Sequence, residues 1–255
     1  TPKIIFTLIM IILCVWGVKG GLETLGRWAN LFVIIDGPLP TIAILSLIPL
    51  MDMSNIQTIL YNGLKPLLHG TYQAFAFPFA ETVVFLTVLS SLKTKTSSYA
   101  IYIKGLLWGG LLVAGVSLAE ILVLGPELYG SVFFPNHTVA AKVNIGENFQ
   151  RMEIITIIAI VTSIYIKLCV YLLGTCNGIA KILGLKDYKI VALPVGLLMC
   201  NFTLFGDVSI IKLFQLVEEV WPYFAFPFQV IFPIFVLIVA EIKTRRRKNS
   251  NKKIG

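Results

Sequence analysis

The chain has 255 residues, of which 57% are hydrophobic and 13% charged, and its mean hydropathy is +0.86. Soluble domains are about 45–50% apolar and about 25% charged, so the composition excludes an ordinary soluble enzyme and indicates a polytopic membrane protein. The net charge of +8 does not indicate nucleic-acid binding, because seven of the 21 Lys and Arg residues lie between Lys243 and Lys253, next to an apolar run.

Seven apolar stretches are long enough to cross a membrane as helices, for which roughly 20 residues are needed. They lie at about 3–19, 30–50, 71–92, 99–124, 152–176, 188–206 and 220–242. Helices are predicted because an open sheet would leave its edge groups without hydrogen bonds in lipid. The sequence therefore predicts a single all-α transmembrane domain over residues 1–242, followed by a basic tail at 243–255.

Cysteine and histidine are too scarce to indicate a metal or catalytic centre. The four cysteines lie in apolar runs without C-x-x-C spacing, so we expect buried small residues rather than disulfides or a zinc site at Cys14, Cys169, Cys176 and Cys200. The two histidines, His69 and His137, fall in predicted loops and do not support a Ser/His triad. We expect no metal, no cofactor and no enzymatic activity.

The basic residues that flank the spans indicate the orientation. With a cytoplasmic C-terminus, fifteen Lys and Arg residues lie on the cytoplasmic side and five on the opposite side. This is a strong positive-inside bias. An odd number of spans then places Thr1 outside. Because the chain starts Thr-Pro-Lys, without an initiator Met or a signal pattern, we expect further helices to precede it in the intact protein.

Charged side chains inside the spans are candidates for function, since each costs about 2.5–3.5 kcal/mol at a helix centre. Asp36, Glu120 and Lys167 are the intramembrane charges. Glu153 lies at the outer end of its span, where a solvated interfacial position is the simpler interpretation, and Glu120 is open to the same interpretation. Asp36 precedes Gly-Pro-Leu-Pro, so local capping or pairing is the alternative to a functional role.

The third span contains the sharpest site candidate. It reads Gln73-Ala74-Phe75-Ala76-Phe77-Pro78-Phe79-Ala80-Glu81. Pro78 cannot donate to the carbonyl of Ala74, so the helix should kink or unwind there. Irregular backbone at membrane depth is tolerated where it is buried in protein or lines a wet cavity. We therefore expect a ligand site at this break. The alternative is a plain proline kink whose second half-helix is capped by Glu81.

Short phrases along most of the chain resemble one family in their order and spacing. They lie at 19–27, 62–70, 77–81, 153–155, 165–167 and 177–181. On these phrases the chain resembles the B subunits of the spore germinant receptors of endospore-forming bacteria, a branch of the amino acid–polyamine–organocation superfamily. The resemblance implies a ten-helix fold with an inverted repeat, in which the seven predicted spans correspond to helices four to ten.

The resemblance also implies a function and a site. Such a subunit binds a germinant, typically an amino acid, in the inner membrane of the spore, and works with A-type and C-type (lipoprotein) receptor subunits. The third span would be the sixth helix, one of two broken helices that form the ligand site. The germinant would then meet the backbone and side chains of Gln73, Ala74, Phe75, Ala76, Phe77, Pro78 and Glu81. The fifth span would face the same cavity, with candidates Thr162, Ser163, Tyr165 and Ile166.

Two further functions stay open at the level of the sequence. A secondary amino-acid transporter would need the same cavity, coupled to protons or cations through Glu81 or Lys167. Ion conduction by an assembled receptor would draw on the intramembrane charges Asp36, Glu120 and Lys167.

We predict that the tail at 243–255 is cytoplasmic, mostly disordered, and held near the anionic leaflet at about 1 kcal/mol per basic residue close to the surface. Reporter fusions after Gly255 should give the signal of a cytoplasmic enzyme. A signal typical of the external side would contradict the orientation.

Overall fold

The computed structural model describes residues 3–56, 63–89, 97–142, 152–206 and 209–251, with side chains for all of these except 152–156 and 245–251. In this part of the chain the regular structure is helical throughout, with α-helices and short 3₁₀ and π segments. The prediction of an all-α polytopic membrane protein is confirmed.

Within the described ranges, six helical segments are long and apolar enough to span a membrane. They are Lys3–Gly20, Leu22–Leu50, Leu64–Leu89, Ser98–Leu124, Ile157–Ile182 and Ile210–Thr244. The sixth predicted span, 188–206, is shorter than predicted, because Tyr188–Ile190 forms a 3₁₀ turn and the α-helix covers only the 14 residues of Ala192–Phe205. Such a helix rises about 21 Å, against a hydrocarbon core of about 30 Å.

The bounds of the helices follow the chain order. The α-helices are α1 (Lys3–Gly20), α2 (Leu22–Asp36), α3 (Pro38–Leu47), α4 (Leu64–Ala74), α5 (Phe85–Leu89), α6 (Ser98–Leu124), α7 (Pro126–Ser131), α8 (Pro135–Ala140), α9 (Met152–Ile182), α10 (Ala192–Phe205), α11 (Ile210–Gln215), α12 (Trp221–Phe226) and α13 (Phe232–Asn251). Other 3₁₀ turns are Ile48–Leu50, Met53–Ile56 and Ala80–Val84, and the π segments are Phe75–Phe79, Leu216–Val220 and Pro227–Ile231.

The chain divides into two compact units. Unit 1 consists of Thr1–Tyr61 and Phe85–Gly206, and unit 2 consists of Asn62–Val84 and Asp207–Gly255. Unit 1 therefore contains α1 to α3 and α5 to α10, whereas unit 2 contains α4 and α11 to α13. A single transmembrane domain over 1–242 stays a prediction.

The main core of unit 1 forms where α1 packs against α9 and α10. Its buried residues are small or branched apolar side chains, namely Ile11, Cys14, Val15, Val18, Leu25, Cys169, Leu172, Leu173, Cys176, Ala192, Val195 and Cys200. All four cysteines of the chain are free and buried, which confirms that they serve as small apolar residues.

Both histidines lie on helices, although loops were predicted for them. α4 begins at Leu64, after Gly63 with its positive φ of 77°, and so includes His69. His137 lies on the short α8, where Pro135 occupies the first helical turn and its fixed φ favours helix initiation. The predictions were wrong because both helices begin outside the apolar runs.

The C-terminal tail is helical over much of its length, which corrects the prediction of disorder. α13 continues past Lys243 and the next four basic residues to Asn251, and 252–255 lie outside the described residues. Lys and Arg have good helix propensity and interact favourably with the negative end of the helix dipole, so no signal ends the helix where the apolar run stops.

We predict that Gly196→Ala destabilises the protein. A Cβ at Gly196 would lie 2.6 Å from Val15 Cγ2 and 3.3 Å from Ile11 Cγ2, where α10 packs against α1. Overpacking of this kind costs about 1–3 kcal/mol, and each kcal/mol lowers Tm by about 2–4 °C in a chain of this size. The matched control is Gly109→Ala in α6, whose Cβ would meet nothing within 4 Å. Equal Tm values for the two variants would contradict this packing.

Candidate functional site

The predicted break in the third span is present at Pro78. α4 ends at Ala74, and a π segment over Phe75–Phe79 follows in which Phe77 has an extended backbone, with φ −140° and ψ 119°. The peptide bond between Phe77 and Pro78 is cis. The cause of the break is the one expected from the sequence, since Pro78 has no N–H for the carbonyl of Ala74.

The side chains around the break differ in burial. Ala76 is 2% exposed, whereas Phe75 and Phe77 are each 44% exposed. Glu81 lies in the first turn of the 3₁₀ segment Ala80–Val84, where a carboxylate is favourable at the positive end of a helix. This position is compatible with the capping alternative for Glu81 as well as with a ligand role.

Gln73 donates a hydrogen bond to the backbone carbonyl of Glu218, which lacks its usual helical N–H donor because of Pro222. Pro222 lies four residues after Glu218 and cannot donate to the Glu218 carbonyl, which instead accepts a hydrogen bond of 3.1 Å from Gln73 Nε2. The neighbouring Tyr72 hydroxyl donates to the carbonyl of Pro222 at 2.9 Å. The amide nitrogen of Gln73 therefore has a structural partner inside unit 2.

Two buried polar atoms of unit 2 lack partners, and sequence reasoning missed both. Among the described residues, Trp221 Nε1 and Gln229 Oε1 are buried without a hydrogen-bond partner. They belong to elements that pack against the broken span: α12 contacts the π segment Phe75–Phe79, and the π segment Pro227–Ile231 contacts the 3₁₀ turn Ala80–Val84. The sequence signal for them was only the recurrence of prolines at 222 and 227, since a missing partner is visible only in three dimensions.

In unit 1 the structure brings Asp36 and Thr162 together. α2 ends at Asp36, because Pro38 and Pro40 interrupt the helical hydrogen bonds that would follow. Asp36 Oδ2 lies 2.5 Å from Thr162 Oγ1, which also lies 2.9 Å from the carbonyl oxygens of Ile158 and Ala159. The hydroxyl has one proton for these acceptors, and the charged one gives the strongest bond.

The other candidates on α9 lie in different surroundings. Tyr165 packs against the core of unit 1, with its ring at an edge-to-face distance of 6.3 Å from Phe32 and its hydroxyl 3.5 Å from the carbonyl of Leu13. Ile166 is partly buried. Lys167 Nζ lies 5.7 Å from the ring centroid of Tyr171, a cation–π contact. Tyr165 and Thr162 are therefore not parts of one polar cluster.

Glu120 is buried, with 4% of its surface exposed. The side-chain amide of Asn136, on α8, faces its carboxylate; with the amide nitrogen turned to the acid it donates to both oxygens, at 3.1 Å for Oε2. Glu120 and Asp36 line the same cavity of about 470 Å³, together with Ser163. The interfacial interpretation of Glu120 does not describe a side chain this deeply buried.

The candidates thus fall into two groups that belong to different units. Residues 73–81 lie in unit 2, and Thr162, Ser163, Tyr165 and Ile166 lie in unit 1 with Asp36, Glu120 and Lys167. A common germinant cavity formed by both groups stays a prediction.

The six long apolar helices of the described ranges indicate an integral membrane protein. The family described as spore germination protein matches residues 1–209. The chain belongs to this spore germination protein family.

Individual relatives agree with this assignment. Spore germination protein KB of Bacillus subtilis (strain 168) is 28% identical over 255 residues, covering 98% of this chain and 68% of the relative. YfkT of the same organism is 24% identical over 247 residues, covering 95% of this chain and 66% of the relative. The chain thus spans about two thirds of each relative. No solved structure matches it significantly.

We predict that the Gln73 bond to Glu218 stabilises unit 2 because of Pro222. Gln73→Met removes the donor at nearly constant size and should cost about 0.5–1.5 kcal/mol, the usual net contribution of one hydrogen bond. Pro222→Ala supplies a backbone N–H four residues after Glu218, so Gln73→Met should cost less in that background. Thermal unfolding of the two single variants and the double variant gives the coupling. Additive effects would contradict the proposed compensation.

Proposed function

We propose that this chain is part of a membrane receptor subunit that binds a nutrient germinant and triggers spore germination. Its membership in the spore germination protein family and the six long apolar helices of its described ranges support a role in germination at a membrane. We propose the inner membrane of the spore as the location, an amino acid as the germinant, and A-type and C-type receptor subunits as partners.

The observation that carries this proposal is the pair of unpartnered polar atoms beside the broken span. A buried donor or acceptor without a partner costs about 1–3 kcal/mol. Trp221 Nε1 is a donor and suits a ligand carboxylate, whereas Gln229 Oε1 is an acceptor and suits a ligand ammonium group. An amino acid carries both kinds of group, so its chemistry matches this pair of atoms.

The broken backbone offers the same two kinds of group. Where Phe77 leaves the helical conformation, the regular pattern of helical hydrogen bonds is interrupted. In transporters with discontinuous helices, such groups bind the charged ends of the substrate. We propose that Ala74, Phe75, Ala76 and Phe77 contribute backbone contacts to the germinant, with Thr162, Ser163, Tyr165 and Ile166 as candidates for the opposite wall.

A receptor must also change state when the ligand binds. A ligand shifts an equilibrium only by its difference in affinity for two states. The break supplies a segment with few helical hydrogen bonds, which can change its backbone conformation more readily than a continuous helix. We propose this segment as the element that reports germinant binding to the partner subunits.

We predict that Pro78→Ala and Trp221→Phe each raise the germinant concentration for half-maximal germination by about tenfold or more. Pro78→Ala restores a donor for the Ala74 carbonyl and favours a continuous helix. Trp221→Phe keeps an aromatic ring but removes the buried donor, and a lost charge-assisted hydrogen bond is worth about 1.5–3 kcal/mol. The measurement is the germination dose response of spores, beside the membrane abundance of each variant.

The controls for this experiment are Pro194→Ala, a proline of the first turn of α10, and Glu127→Gln on α7. Glu81→Gln separates two roles, because a capping residue tolerates the amide with a loss of about 1 kcal/mol, whereas a charge-pairing site loses its response. Unchanged sensitivity of Pro78→Ala and Trp221→Phe at normal abundance would show that the germinant binds elsewhere.

A further inference from the structure

Unit 1 contains a cavity of about 470 Å³ whose lining residues all belong to this unit. Helices α2, α3, α6, α8 and α9 contribute to its lining. Much of the wall is apolar, including Leu39, Ile44, Leu47, Val113 and Val116. Its volume is within the range of about 300–1,000 Å³ that is typical of small-molecule sites.

Two carboxylates face this apolar space. Glu120 is nine-tenths buried or more, with 4% of its surface exposed, and Asp36 lies at the end of α2. Their partners are neutral: the Asn136 amide donates to Glu120, and the Thr162 hydroxyl donates to Asp36. In the part of the chain that the structure describes, neither carboxylate forms an ion pair with a basic side chain.

A carboxylate at membrane depth without a counter-ion is unfavourable, by about 2.5–3.5 kcal/mol at a helix centre. Neutral donors recover part of this free energy, but they leave the negative charge in place. Two such charges in one cavity also repel each other. A bound cation would reduce both the cost of burying each carboxylate and the repulsion between the two carboxylates. The cavity therefore favours a positively charged ligand.

The lining decides which class of cation fits. Divalent metal ions such as Ca²⁺ need about six to eight oxygen ligands, and the described residues contain no group of three or more His, Cys, Asp or Glu that could hold a metal. The apolar wall instead suits a hydrocarbon body, and the carboxylates suit N–H donors.

We propose that this cavity binds a small organic cation, a primary ammonium group on an apolar body, through Asp36 and Glu120. Ser163 adds a hydroxyl to the lining, and Asn136 holds the Glu120 carboxylate from α8. All lining residues belong to unit 1, whereas Pro78 belongs to unit 2, and Ser163 is the one lining residue that is also a candidate for the proposed germinant site.

The experiment uses the full-length protein in lipid nanodiscs and the probe n-butylammonium chloride. Its uncharged analogue 1-butanol tests the charge, and potassium chloride at equal concentration tests an inorganic cation. Ligand binding raises Tm in a concentration-dependent way, which yields Kd. We expect a saturable rise with butylammonium and none with the other two probes.

The variants test the residues. Asp36→Asn and Glu120→Gln should each weaken butylammonium binding at least tenfold, whereas Glu127→Gln, the same chemical change on α7 outside this cavity, should leave Kd unchanged. Ala159→Leu fills part of the cavity and keeps both acids, so it should also weaken butylammonium binding. If the acid variants fail to fold, the Kd of this variant tests whether butylammonium binds in the cavity.

Four results would overturn the proposal. Equal stabilisation by 1-butanol and butylammonium would assign the cavity to an apolar chain, such as that of a lipid. Equal stabilisation by potassium would assign it to an inorganic cation. No saturable effect of butylammonium, or wild-type affinity in the folded acid and Ala159→Leu variants, would exclude a site in this cavity.

Discussion

The structure depends on one constraint: every backbone carbonyl that a proline frees inside the membrane needs another partner or a wet surrounding. Pro78 frees the carbonyl of Ala74, and Pro222 frees that of Glu218. In unit 2 the carbonyl of Glu218 finds a side-chain donor in place of the missing backbone N–H, because Gln73 Nε2 donates to it. At Pro78 the chain instead leaves the helical conformation at Phe77. One proline thus produces a packing contact and the other an opening in the backbone.

The same constraint governs the charges. Asp36 lies where Pro38 and Pro40 end α2, and it accepts a hydrogen bond from Thr162 on α9. Glu120 lies within the unbroken α6, so its partner Asn136 comes from the separate helix α8. Both acids are stabilised by neutral donors, whereas Lys167 lies over the ring of Tyr171. Each acid has a hydrogen-bond donor within unit 1, and among the described residues neither acid has a basic partner.

Local sequence signals predicted the apolar helices and the break at Pro78, because both depend on residues within one turn of each other. Contacts between residues that are far apart in the sequence could not be predicted from it. Gln73 and Glu218 are separated by 145 positions, and Thr162 and Asp36 by 126, so neither pair has a spacing that a sequence pattern can show. The burial of Glu120 likewise depends on α8, which lies outside the predicted spans. The helical tail was missed because the end of an apolar run is not a helix stop signal.

The broken span also connects the two units covalently, which gives the proposed receptor a route for its signal. Its residues up to Val84 belong to unit 2, and α5 from Phe85 onward belongs to unit 1, where it packs against α9 and Val88 contacts the core. The segment that contains Phe77 therefore continues, through one 3₁₀ turn, into a helix that packs against that core.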